Sequence, residues 1–73
     1  MDSFEVERRE KVTRAEAATR LRRIANLLSS DDDEVEFERG EMKFKVAIPA
    51  EVELKVEFEM DKEESELEIE LKW

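Results

Sequence analysis

Seventy-three residues suffice for one small domain with a modest core, and 48% of them are charged while 40% are hydrophobic. The absence of Cys, His and Tyr excludes disulfide staples, thiolate metal sites, thiol nucleophiles and the commonest general base. A formal net charge of −9 works against non-specific binding to nucleic acid or anionic lipid.

The charge is unevenly placed. Residues 1–29 hold seven Arg and Lys against five acids, a net of +2, and residues 30–73 hold six against seventeen, a net of −11. The apolar residues are periodic, so the chain is read as folded in spite of its charge. No apolar run approaches the length of a membrane span and Met1-Asp2-Ser3-Phe4 shows no signal peptide, so the expected address is the cytoplasm, away from membranes.

Residues 1–11 alternate briefly at Phe4 and Val6 and then turn polar, which predicts a short strand or extended arm over Phe4–Arg8. Thr13-Arg14-Ala15-Glu16 is a capping box, with the Thr13 hydroxyl placed to accept from the Glu16 amide. A helix is predicted over 13–29. Its Ala17, Ala18, Leu21, Ile24, Ala25 and Leu28 fall within an arc of roughly 120°, the width of a face lying on a core. Ser29-Ser30-Asp31-Asp32-Asp33 ends it with side chains that compete for backbone hydrogen bonds, and no Gly offers a left-handed cap.

From Glu34 to Trp73 the period changes to two. Val35 and Phe37, then Met42 to Ile48, then Val52 to Met60, then Leu67 to Trp73 read as four half-buried strands. Paired residues of an antiparallel hairpin share a face, so turn parity tests sequential pairing. An even-length turn at Arg39-Gly40 is expected to pair Phe37 with Met42 and Val35 with Phe44. A three-residue turn at Pro49-Ala50-Glu51 pairs Ile48 with Val52 and Val46 with Leu54. An even-length turn within Asp61–Glu66 joins the strand of Met60 to that of Leu67. All three keep the apolar set on one side. The expected architecture is therefore α+β: one domain over 1–73, a helix packed on a four-stranded antiparallel meander, with an added N-terminal strand as an option.

The terminal strand Glu66-Leu67-Glu68-Ile69-Glu70-Leu71-Lys72-Trp73, the capped Ala-rich helix and the Ile48-Pro49-Ala50-Glu51-Val52 corner together resemble the amphi-Trp domain, a family named for an amphipathic strand that ends in tryptophan. The resemblance runs from about Phe4 to Trp73. It implies the fold and a salt-loving archaeal habitat, and it carries over no functional residues.

Four features invite functional readings. Asp31-Asp32-Asp33-Glu34 is an acidic run, but it lacks the spaced ligands and Gly of a calcium loop and reads as solvated loop. Arg14, Arg20, Arg22 and Arg23 suggest a nucleic-acid helix, yet Arg20 and Arg22 lie about 160° apart on the wheel and do not form one stripe. Glu16 and Arg20 suit an i,i+4 pair instead. The carboxylates of the outer sheet face, Glu53, Glu57, Glu59, Glu66, Glu68 and Glu70, would need burial to do acid–base work. Trp73 is in phase with the apolar face and is expected to plug the end of the core.

No catalytic, cofactor-binding or metal-binding residue is nominated, no cofactor is expected, and the chain is expected not to be an enzyme. The leading expectation is a structural or protein-interaction module of a halophile cytoplasm, the alternative a nucleic-acid-binding module using the Arg-bearing helix. Four strands at about 4.8 Å span roughly 19 Å, and a helix covers only about 10–12 Å of that. Some of Val35, Met42, Met60 and Leu67 should then stay uncovered, unless the sheet coils, the Phe4–Val6 arm folds over an edge, or a homo-oligomer or protein partner covers them.

Overall fold

The helix begins where the capping residues place it. In the computed structural model of the chain, which describes Glu5 and residues 7–73, α1 spans Arg14–Leu28. The Thr13 carbonyl accepts from the Ala17 amide at 3.0 Å, and its hydroxyl accepts from the Glu16 amide at 3.0 Å. At the other end Ser29 keeps a right-handed conformation; its amide donates to Ala25 O at 3.1 Å and its hydroxyl to Asn26 O at 2.8 Å. Phe4 and Val6, which carry the expected N-terminal strand, lie outside the described residues, and Glu7 and Arg8 belong to no strand.

Four strands follow: β1 Glu34–Arg39, β2 Met42–Ala47, β3 Glu53–Met60 and β4 Ser65–Lys72. The α+β class holds, with the sheet divided. Among the described residues the strands form two separate antiparallel hairpins, β1–β2 and β3–β4, and not one four-stranded meander. The reason lies at the corner. The Ile48 amide donates to Asp33 O at 3.0 Å, extending the β1–β2 ladder one step past Glu34 and Ala47. Pro49 then brings no N–H and a fixed φ. Residues 49–52 run outside any strand, and the expected pairing of Ile48 with Val52 and Val46 with Leu54 does not form.

Both hairpin turns have even length, as the parity requires. The first is two residues, Gly40-Glu41, with Gly40 at φ +59°, the positive φ that a type II′ turn demands at its first position. A Cβ at Gly40 would meet nothing within 4 Å, so backbone conformation and not crowding selects glycine. This tight turn moves the register two residues from expectation: Phe37 pairs with Phe44, Val35 with Val46 and Arg39 with Met42. The Phe37 and Phe44 rings stack with centroids 5.7 Å apart. The second turn spans Asp61–Glu64, and Phe58 pairs with Leu67 across it.

Among the described residues α1 contacts only β1, and Val35, 6% exposed, is the one buried side chain. Val35 is thus covered while Met42, Met60 and Leu67 are exposed, in keeping with the expectation that some of these four positions stay uncovered. The consequence is an open molecule. Its accessible surface is 7380 Å², against about 4,700 Å² for an ordinary folded chain of 8.7 kDa. Its radius of gyration is 14.4 Å, where about 11 Å is usual for this length.

Candidate protein-interaction surface

The β3–β4 ladder sorts its side chains cleanly. On one face Leu54 pairs with Leu71, Val56 with Ile69 and Phe58 with Leu67; on the other, Glu53 pairs with Lys72, Lys55 with Glu70, Glu57 with Glu68 and Glu59 with Glu66. A one-residue slip would reverse the two faces. The apolar face is open to solvent, with Phe58 66% and Met60 71% exposed. Trp73, just past the end of β4, is 55% exposed. It is therefore not a core plug within this chain, because no residue of α1 lies over this hairpin.

A second feature complements the first. Between α1 and β1 lies a groove of about 610 Å³ with Ile24, Leu27 and Phe37 among its lining and Arg20 and Arg23 on the helix side. Ile24, at the edge of the predicted apolar arc, and Leu21, at its centre, remain 43% and 50% exposed. Leu27 lies outside that arc yet is half-buried and lines this groove. The adjacent Leu27-Leu28 pair was the available signal, since Leu27 widens the apolar arc by about 60° on the side of Ile24.

The arginine cluster is partly committed to structure. Arg20 donates from both terminal nitrogens to Glu10, at 3.0 and 3.2 Å, and from Nε to Glu16 at 3.1 Å. The Glu16–Arg20 pair is the one the spacing predicts. Glu10 is not legible that way, because it lies ten residues away in a segment with no period. The Arg20 guanidinium, joined by Arg8 at 2.7 Å, holds the Glu10 carboxyl below the ordinary carboxylate range, and Glu10 and Glu16 together push the Arg20 pKa up. With its bidentate fork engaged, Arg20 is not poised for a phosphate.

The Asp31–Glu34 run lies between α1 and β1, and the Asp32 amide donates to the Ser30 hydroxyl at 3.1 Å. Among the described residues no group of three or more acids is gathered as a metal site would require. The outer-face carboxylates lie on an exposed sheet face. No described helix is long and apolar enough to cross a membrane.

The fold and surface define a small α+β domain whose last strand is amphipathic and ends at a tryptophan. The Amphi-Trp domain model matches residues 1–73, the whole chain, and the chain belongs to the Amphi-Trp domain family. No curated protein and no solved structure matches it.

Proposed function

We propose that the chain is a non-enzymatic structural or interaction module, and that its working surface is the apolar face of the β3–β4 hairpin, which another protein surface covers in a high-salt cytoplasm. One observation carries the reading: Leu54, Val56, Phe58, Met60, Leu67 and Ile69 are each half or more exposed and share one side of a regular two-stranded ladder. A contiguous apolar patch of this kind marks a contact surface on a charged chain. The acid-rich opposite face and the net charge of −9 fit a cytoplasm in which salt screens self-repulsion. The single four-stranded sheet belongs, on this reading, to the covered state.

The test exploits the alternation. A photo-reactive residue placed at Val56, on the apolar face, is expected to give protein adducts in cells several-fold above the same residue at Glu57, on the opposite face. Equal yields at the two positions, or none at either, would overturn the proposal.

A further inference from the structure

The apolar face of the β3–β4 hairpin has the area of an interface. Eight of the twelve large apolar side chains that stay exposed among the described residues lie between Val52 and Trp73, at 41–71% exposure. With about 100 Å² open on each, half of what an aromatic side chain hides when buried, they offer roughly 800 Å² per copy. That is the share one partner gives to a stable interface of standard size. Among the described residues α1 contacts neither β3 nor β4, so the chain's own helix does not take this area up.

Its shape fits it to a reversed copy of itself. At one end of the face Met60 pairs with Ser65, so β4 contributes only a small side chain there. At the other end Val52 and Trp73 continue the two apolar rows past Leu54 and Leu71. The face is thin at Ser65 and thick at Trp73. Two copies stacked with like ends together would crowd the thick ends and leave a void between the thin ones, which close packing does not tolerate. Turning one copy about a two-fold axis that runs across the strands sets Trp73 over Ser65 of the other copy and Met60 over Val52. Phe58 then meets Leu54, Leu67 meets Leu71, and Val56 and Ile69 each meet their own counterparts at the centre. Such reciprocity is what a two-fold contact requires.

Charge permits the contact. The apolar face holds one polar side chain, Ser65, and no charged one, so closing it leaves no charge buried and unpaired. The hairpin's carboxylates alternate onto the opposite face. Packed sheets lie about 10 Å apart face to face, which keeps those carboxylates on the two outer sides of the pair. What remains is the long-range repulsion between two chains of net charge −9, and salt screens it.

We propose that two copies of this chain pack the apolar faces of their β3–β4 hairpins together with the strands reversed, Trp73 of each seated over Ser65 and Met60 of the other. The inference rests on the interaction reading above and names its partner as a second copy. The contact uses the face of the hairpin and no strand edge, so it is independent of how β2 and β3 meet.

The chain has no cysteine, so introduced thiols report without interference. A Ser65→Cys chain and a Val52→Cys chain are mixed in 2 M KCl with a thiol crosslinker reaching about 10 Å, the spacing of packed sheets. The two positions lie at opposite ends of one hairpin, about 26 Å apart along it, so a link between them joins two chains. The wild type is sedimented in parallel over about 5–200 μM at 0.1 and 2 M KCl. The expected result is a wild-type mass approaching twice the 8.7 kDa of one chain, more completely at 2 M, with the mixed pair linked and neither variant linked to itself. A dimer in which each variant links to itself and not to the other overturns the reversed packing. A dimer with no link overturns the face-to-face contact. A monomer that binds a hydrophobic dye overturns the second copy and leaves the interaction reading standing. A monomer that binds no dye overturns both, because the face is then closed within its own chain.

Discussion

Glu57 and Glu68 stand directly opposite each other on the outer face of the β3–β4 ladder, with Glu59 and Glu66 as the next like-charged pair along the same face. Like charges at paired positions destabilise a sheet. Lys55 relieves part of this with a 3.0 Å contact to Glu57. Salt relieves more, since the Debye length falls from about 10 Å at 0.1 M to about 3 Å at 1 M. The melting temperature is expected to rise between 0.1 and 2 M KCl. Glu68→Lys should stabilise the protein by about 0.2–1 kcal/mol at low salt and less at high salt. Calorimetry at several salt concentrations checks both, and a flat or falling melting curve counts against a halophilic design.

Phe37 and Phe44 form the only stacked aromatic pair among the described residues, at 5.7 Å. Such a pair contributes about 0.5–1.5 kcal/mol beyond the area it buries. A double-mutant cycle with Phe37→Leu and Phe44→Leu isolates that coupling in urea denaturation. A coupling energy near zero would show that burial alone, and not ring stacking, fixes this register.

Asp61 organises the second turn. Its carboxylate accepts from the Glu63 and Glu64 amides, both at 2.9 Å, and these bonds hold its pKa below the ordinary 3.8. A depressed carboxyl pKa means stabilisation that is fully present above the ordinary value and is lost as pH falls through the lower, folded one. An NMR titration should therefore place the Asp61 midpoint below 3.8, its ordinary value. At neutral pH, Asp61→Ala should speed amide exchange in β3–β4, and Asp61→Asn, which keeps an acceptor oxygen, should do so less.

Trp73 is the only tryptophan in the chain, so its fluorescence reports one position. Being 55% exposed, it should emit as a solvated indole in the isolated chain and shift to shorter wavelength when a partner surface covers the hairpin. Trp73→Ala should weaken that association about tenfold or more, as truncating a buried aromatic anchor does, while changing the unfolding of the dilute chain far less. Emission that does not change on association, together with an unchanged association constant, would remove Trp73 from the contact surface.

Thr13 and Glu16 were enough to locate the start of α1, and the alternation of Leu54, Val56 and Phe58 with Glu53, Lys55 and Glu57 was enough to locate β3 and its two faces. Both features are local: a cap needs one hydroxyl three residues from one amide, and strand amphipathicity needs only a period of two. Turn parity was equally legible, because an even loop returns the same face. The register of β1–β2 was not, since parity leaves shifts of two undetermined until Gly40 adopts its positive φ. The tertiary structure alone decided that the Ile48 amide bonds to Asp33, that the ladder stops at Pro49, and that α1 lies on β1 with Leu27 at its groove. It also decided that Arg20 reaches back to Glu10. Each of these joins residues far apart in the chain or marks where such a pairing ends. Such choices are settled by non-local packing and charge, which no window of neighbouring residues contains.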